Sequence, residues 1–218
     1  MQNPAPIDLA DWPRRQHFEH YRHVVPCTYA ITVEIDVSEF VGAVRASDRR
    51  AYVAQIWAIA SVVNRHDEFR ITLGETGDPA VWRVVHPAFT VFHPEWETFS
   101  CLWVPYDLDF AAFHDAATAT IAEYAGSTEF FPQGAPPGNT FDVSSVPWTS
   151  FTGFTLNVEG GADHVAPIFT LGRYTVREGR TLLPLAVQVH HAVADGFHTA
   201  RLIEELRDLF ADGTWLRG

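Results

Sequence analysis

Cysteine is nearly absent from this 218-residue chain: there are two, Cys27 and Cys101, and they do not stand in CxxC spacing. That argues against a disulfide framework or a thiolate zinc site, and both thiols are expected to act as small buried apolar groups. Basic residues are also scarce. Lys and Arg total 15 against 27 Asp and Glu, a formal charge of −12 with eleven histidines counted neutral. With no basic patch evident, neither a nucleic acid nor an anionic membrane is an expected partner. No segment approaches the ~20 apolar residues needed to span a bilayer. The start, Met1-Gln2-Asn3-Pro4-Ala5-Pro6, has neither the positive charge nor the apolar run of a secretory signal, so a cytoplasmic location is expected. No repeat, low-complexity tract or clear linker divides the chain, and the Pro/Gly-rich residues 132–139 read as a loop. Residues 1–218 are expected to form one domain with a sizeable core.

What is present is concentrated in His190-His191-Ala192-Val193-Ala194-Asp195-Gly196-Phe197-His198. Upstream, Leu185, Val187 and Val189 alternate with Ala186, Gln188 and His190, the period of a strand, and Leu183-Pro184 suggests that this strand starts near a sheet edge. Carrying the parity forward puts His191 on the face of the three aliphatics. Downstream, Leu202, Ile203, Leu206, Leu209 and Phe210 mark one face of a helix, opposite Glu204, Glu205, Arg207 and Asp208. An imidazole fixed at a strand end can accept and return a proton near neutral pH, which suits a general base. Asp195 can cap the helix or pair structurally, or it can take part in the chemistry.

Further strands are predicted at residues 29–35, 88–93, 98–104, 151–158 and 168–176, and helices at 48–64, 109–124 and 196–210. The alternation gives an α/β sandwich. His17, His20 and His23 recur every third residue in a predicted N-terminal helix, but a metal site would need a fourth ligand, so no metal is expected. His190 reads as a structural residue. His86, His93, His114, His164 and His198 belong to no specific constellation.

The run QVHHAVADGFH resembles the active-site signature of the chloramphenicol acetyltransferases. So, in that family's order and spacing, do Trp12-Pro13-Arg14-Arg15-Gln16-His17-Phe18, Cys27-Thr28-Tyr29, Phe89-Thr90-Val91-Phe92-His93, Glu97-Thr98-Phe99-Ser100, Phe131-Pro132-Gln133-Gly134, Pro147-Trp148 and Phe154-Thr155-Leu156-Asn157-Val158. The HHxxxDG core alone also resembles peptide-synthetase condensation domains, and the outlying matches decide between the two. The resemblance implies a two-layer sandwich of the CoA-dependent acyltransferase type, a mixed sheet with packed helices. It further implies a homotrimer with sites between subunits, one supplying His191 and its neighbour much of the acceptor pocket.

On this resemblance His191 is the base that takes a proton from a hydroxyl as it attacks acetyl-CoA, the co-substrate, with no acyl-enzyme and no permanently bound cofactor. Ser144 corresponds to the family's oxyanion donor. Serines in loops are common, as neighbouring Ser145 illustrates, and only the match singles Ser144 out. Thr170 corresponds to the threonine that positions a water at the same intermediate, and Asp195 and Arg14 to an ion pair that steadies the histidine. Tyr21, Val25, Cys27, Tyr29, Phe99, Cys101, Phe130, Phe131, Phe154, Leu156 and Val158 correspond to the acceptor pocket, an apolar lining suited to a nitrophenyl group. Composition lends this no independent support, because 13% aromatic residues can build a core alone. Trp148 and Tyr174 correspond to the pantetheine channel.

The chain departs from the family pattern at Ala194, where cysteine is common, at Gly153, where serine is expected, and at Glu159-Gly160, which replaces Ala-Asn. Val25 and Cys101 also alter the acceptor lining. These departures bear on the acceptor more than on the chemistry. The implied activity is acetylation of the primary hydroxyl of chloramphenicol. A different hydroxyl or amine acceptor, or a non-catalytic binding protein on the same fold, are the alternatives.

Overall fold

Residues 3–157 and 163–217 are described by a computed structural model. In chain order the elements are β1 (Ala5–Pro6), α1 (Arg15–Glu19) continued by a π-helical turn (His20–Val24), β2 (Thr28–Asp36), α2 (Ser38–Arg45), α3 (Ala51–Val63), β3 (Ile71–Leu73), β4 (Pro79–Val81), β5 (His86–His93), β6 (Thr98–Trp103), α4 (Phe110–Glu123), β7 (Thr140–Val146), β8 (Ile168–Gly172), β9 (Thr175–Arg177), β10 (Arg180–His190) and α5 (Gly196–Asp212). A mixed sheet runs β2-β10-β8-β7-β5-β6, with β9 pairing the start of β10, and β1, β4 and β3 form a small separate sheet. Strands β5, β7 and β8 are mutually parallel. Strand β10 runs antiparallel to β8 and to β2.

The helices cover one face of the main sheet, with α5 against β2, α2 against β10, α3 against β5 and α4 against β6. Each is shaped by its sequence. Helix α3 is apolar nearly all round, and every residue from Val53 to Val63 is buried, as a central helix requires. Helix α5 is amphipathic: Leu202, Ile203, Leu206 and Phe210 are buried, and it stops at Gly213 with φ 57°, a left-handed position that glycine adopts at least cost. Asp109 caps α4 by accepting from the N–H groups of Ala111 and Ala112.

Along β10 the odd-numbered residues Leu183, Leu185, Val187 and Val189 enter the helix-side core. The even-numbered face is buried as well, so the alternation does not mark a half-exposed strand. Its cover is residues 151–157, which were predicted as a strand but form no ladder. Their backbone bonds go to side chains instead: Phe154 N–H to Thr32 Oγ1 at 3.2 Å, and Leu156 to both ends of the Gln188 amide, at 2.8 and 2.9 Å. Gly172 fits this layer closely, since a Cβ there would lie 2.9 Å from the Phe151 ring.

The expected edge at Leu183-Pro184 is not an edge. Strand β10 lies inside the sheet, with β2 along one side. On the other side β9 covers Arg180 to Leu182 and β8 covers Leu185 to Gln188, so the imino residue falls in the break between them. The single strand predicted for 168–176 is accordingly two, β8 and β9. The second turns back through Glu178-Gly179, both at positive φ, a two-residue hairpin. Strand β7 was not predicted. It puts Ser144 on an internal strand between β5 and β8, not in a loop.

Candidate active site

Two groups of the expected site residues form at opposite ends of the sheet. The first surrounds His191, one residue beyond the end of β10. Its N–H donates to the carbonyl of Cys27 at 3.0 Å. Its ring stacks on Tyr21 with centroids 3.9 Å apart and planes 8° from parallel, and meets Tyr29 edge-on at 5.2 Å. The His191 Nδ1 is buried and has no hydrogen-bond partner among the described residues. Parity did not predict this setting, because the strand ends at His190 and the turn re-aims the next side chain.

Arg14 closes the group from the N-terminal segment. Its Nη1 donates to Asp195 Oδ2 at 2.7 Å, and its Nη2 to the carbonyl oxygen of His191 at 3.3 Å. Asp195 also caps α5 through Oδ1, which accepts from the Phe197 N–H at 3.1 Å and lies 2.8 Å from His198 Nδ1. Partial burial acts to raise the Asp195 pKa. The Arg14 hydrogen bond, neighbouring His198, the Arg14 charge and the Phe197 N–H outweigh it and hold the carboxyl down at about 2. Beneath it, the Tyr29 hydroxyl and the Thr199 Oγ1 lie 2.8 Å apart. His190 is fully enclosed, and its Nδ1 accepts from the Ala192 N–H at 3.2 Å. Burial first, then nearby Arg22 and the neighbouring histidines, push its pKa down.

The second group lies at the carboxyl ends of the parallel strands β5, β7 and β8, the usual crevice for ligands in open α/β sheets. Ser144 and Thr170 are register partners on β7 and β8, and their hydroxyls are 2.9 Å apart. Ser144 also lines a cavity of about 730 Å³ bounded by the first turn of α3 and by Phe92, Phe99, Trp148 and Tyr174. The Tyr174 hydroxyl accepts from Gln55 Nε2 at 2.8 Å, and burial raises its pKa to about 12. The Trp148 ring is exposed and packs edge-on against Phe92 at 4.6 Å. Arg50 and Arg173 stand at the same cavity.

The expected acceptor residues divide accordingly. Tyr21, Cys27 and Tyr29 lie in the His191 group, and Val25 is exposed just after the π-helical turn. Phe99, Phe130 and Phe131 pack edge-on in series at β6, and the Cys101 N–H donates to the Phe130 carbonyl at 2.7 Å. Burial raises the Cys101 thiol to about 11. Phe154 and Leu156 belong to the segment over β10. Val158, like Glu159 and Gly160, lies outside the described residues. An added Cβ at Gly153 would meet nothing within 4 Å, so that departure leaves open space. Among the described residues no group of three or more His, Cys, Asp or Glu is placed to hold a metal.

One chain does not bring His191 and Ser144 together. Ser144, Thr170 and Ala186 lie on one row across the sheet. His191 is five residues further along the antiparallel strand, so its Cα is about 17 Å along and about 10 Å across from that of Ser144, about 19 Å in all. No choice of rotamers closes that distance.

Sequence reasoning missed Arg50, Gln55, Arg173 and Gln188. For two of them a signal exists: Gln55 and Gln188 are lone amides in apolar runs, and a buried polar group must find a partner. The arginines carry no such mark.

Residues 2–207 match the family model of chloramphenicol acetyltransferase. The chain is 68% identical over 216 residues to a chloramphenicol acetyltransferase of Streptomyces acrimycini, covering 99% of this chain and 98% of the relative. It is 44% identical over 201 residues to chloramphenicol acetyltransferase 2 of Haemophilus influenzae, covering 92% and 94%. Among solved structures, a chloramphenicol acetyltransferase superposes with a TM-score of 0.88 at 23% identity, over 95% of this chain and all of that one. The dihydrolipoamide acetyltransferase of Azotobacter vinelandii does so with 0.68 at 22%, over the whole of both. The structural likenesses establish the CoA-dependent acyltransferase fold. This chain belongs to the chloramphenicol acetyltransferase family.

Proposed function

We propose that this member of the chloramphenicol acetyltransferase family acts as one domain over residues 1–218 and moves the acetyl group of acetyl-CoA to the primary hydroxyl of chloramphenicol in a ternary complex. The acceptor hydroxyl sits at the His191 ring, where Nε2 takes its proton while the oxygen attacks the thioester carbonyl. Holding both reactants together replaces a slow encounter with a step inside one complex. The tetrahedral oxyanion is met by the Ser144 hydroxyl, with Thr170 beside it to hold a water. Collapse breaks the C–S bond, the proton on Nε2 passes to the CoA sulfur, and acetylated chloramphenicol and CoA leave. Arg14 and Asp195 hold the imidazole in place and take no proton themselves.

The cavity beside Ser144 is the donor's channel in this reading. It combines a mostly apolar wall, suited to the pantetheine arm, with two arginines, Arg50 and Arg173, which complement a phosphorylated ligand. The observation that carries the proposal is the separation of His191 from Ser144. Base and oxyanion donor sit on the same sheet at opposite ends, so a second copy must present its cavity to the first copy's histidine. A cyclic trimer repeats that contact three times with one heterologous interface. The exposure of Val25, Phe99, Phe130, Phe131 and Leu156 in the isolated chain supports such a cover. No described helix is long and apolar enough to cross a membrane, which is compatible with a cytoplasmic location.

The test is CoA thiol release by purified protein with acetyl-CoA and chloramphenicol, against a panel of other alcohols and amines. Turnover with chloramphenicol above the panel is expected. Preference for another acceptor would replace chloramphenicol in the scheme, and no thiol release with any acceptor would leave a binding protein.

A further inference from the structure

The first turn of α3 lines the cavity through Arg50, Ala51, Tyr52, Val53 and Gln55, yet this helix lacks the usual device at its start. Its N-cap residue is Arg50, in extended conformation with φ −84° and ψ 121°, and no side chain of its own caps the turn. In a capping box the N-cap N–H is taken by an acidic or amide side chain three residues on. Here that N–H crosses to another helix and donates to Nε2 of His114 on α4, at 2.9 Å. The imidazole is buried, and its centroid lies 5.6 Å from that of the tilted Phe110 ring on the same helix.

The bond fixes the ring's protonation. A nitrogen that accepts from an N–H must present a lone pair, so Nε2 carries no proton and a neutral ring holds it on Nδ1. Asp115 Oδ1 is 3.5 Å from that Nδ1. The charged groups facing the ring are Arg49, whose Nη1 is 3.4 Å from Nδ1, Arg50 and Asp115. Protonating Nε2 would set a donor against the Arg50 N–H and add a third positive charge beside two arginines.

We propose that His114 is a positioning residue for the acetyl donor: the Nε2 lone pair holds the Arg50 N–H, and with it the cavity-lining first turn of α3, in the geometry that binds CoA. The proposal rests on reading the cavity as the donor's channel. Burial pushes the His114 pKa below its ordinary value, opposed by the Asp115 hydrogen bond and charge and helped by Arg49 and Arg50, in keeping with the neutral ring that accepts from the Arg50 N–H. The contact then fails only on acidification, and the loss falls on donor affinity, not on the acceptor.

The experiment is calorimetric titration of CoA into the intact protein at about pH 8 and about pH 5.5, for wild type, His114→Ala, His114→Gln and Arg50→Ala. Glutamine places an amide oxygen near the position of Nε2 and cannot be protonated in this range. His114→Ala should weaken CoA about three- to tenfold at the higher pH, the worth of one hydrogen bond. His114→Gln should bind near wild type there and lose less affinity on acidification than wild type does. Titration of the ligand's own phosphate is common to all four proteins and cancels in that comparison. If Arg50→Ala weakens CoA while His114→Ala does not, the positioning role is wrong. If Arg50→Ala leaves CoA affinity unchanged, the donor reading of the cavity is wrong instead. Should His114→Ala fail to fold, the glutamine variant decides alone: an unaltered fall in affinity with acid would overturn the proposal.

Discussion

Arg14 and Asp195 are 181 positions apart in sequence, and their side chains meet at 2.7 Å. The same guanidinium reaches the carbonyl oxygen of His191. One side chain therefore ties the N-terminal segment to both the start of α5 and the backbone of His191. Asp195→Asn separates the two duties of the carboxylate, since asparagine also caps helices well but carries no charge. Stability should fall by about 1.5–3 kcal/mol at most, the range for hydrogen bonds to charged groups, and toward its lower end because the pair is partly exposed. The catalytic rate should fall by up to about a hundredfold through displaced geometry. Urea unfolding and steady-state kinetics check the two parts.

Acid should expose the same pair. The folded Asp195 carboxyl lies at about 2, below its ordinary 3.8. A depressed carboxyl stabilises the fold fully above the ordinary value, and the contribution is lost as pH falls through the lower one. The stability difference between wild type and Asp195→Asn should therefore hold constant above about pH 5 and shrink toward about pH 2. A difference that did not change with pH would show that the pair contributes nothing to this dependence.

Ser144→Ala should cost about 2.7–4 kcal/mol in the rate of acetyl transfer, the usual worth of one oxyanion donor. The KM values for both substrates should barely move, because the interaction strengthens only after attack. Full activity in this variant would remove Ser144 from the mechanism.

Gln188→Leu should act on the acceptor alone. The amide accepts from the Leu156 N–H and donates to the Leu156 carbonyl, so leucine unpairs both groups and loosens the segment that carries Phe154 and Leu156. Each unpaired group costs about 1–3 kcal/mol if it stays buried. The KM for chloramphenicol should rise severalfold while that for acetyl-CoA holds. An equal rise in both would show a general loosening of the fold.

Much of this architecture is written in local patterns. The apolar run of α3 and the one-sided stripe of α5 reflect burial that neighbouring residues share, and the alternation of β10 marks a strand although both of its faces are buried. Strand β7 could not be read from the chain, because its Asp142, Ser144 and Ser145 break the apolar pattern, and it is stabilised as a strand by pairing with β5 and β8. Residues 151–157 misled for the opposite reason: they look like a strand, yet their backbone partners are side chains of Thr32 and Gln188, and although Gln188 stands out as a lone amide, no local pattern pairs it with this segment. The candidate site residues were expected from likeness to a family, not from geometry. Their division between two ends of one sheet follows only from the antiparallel register of β10 on β8.

Mixing two crippled proteins puts that division to the test. His191→Ala and Ser144→Ala, each nearly inactive alone, are unfolded together, refolded at equal ratio and assayed for CoA release. If base and oxyanion donor come from different copies, about one quarter of the interfaces will pair an intact His191 with an intact Ser144, and activity should rise to about that fraction of wild type. Activity no greater than the mean of the two separate variants would mean that each chain builds its site alone, and would contradict the account.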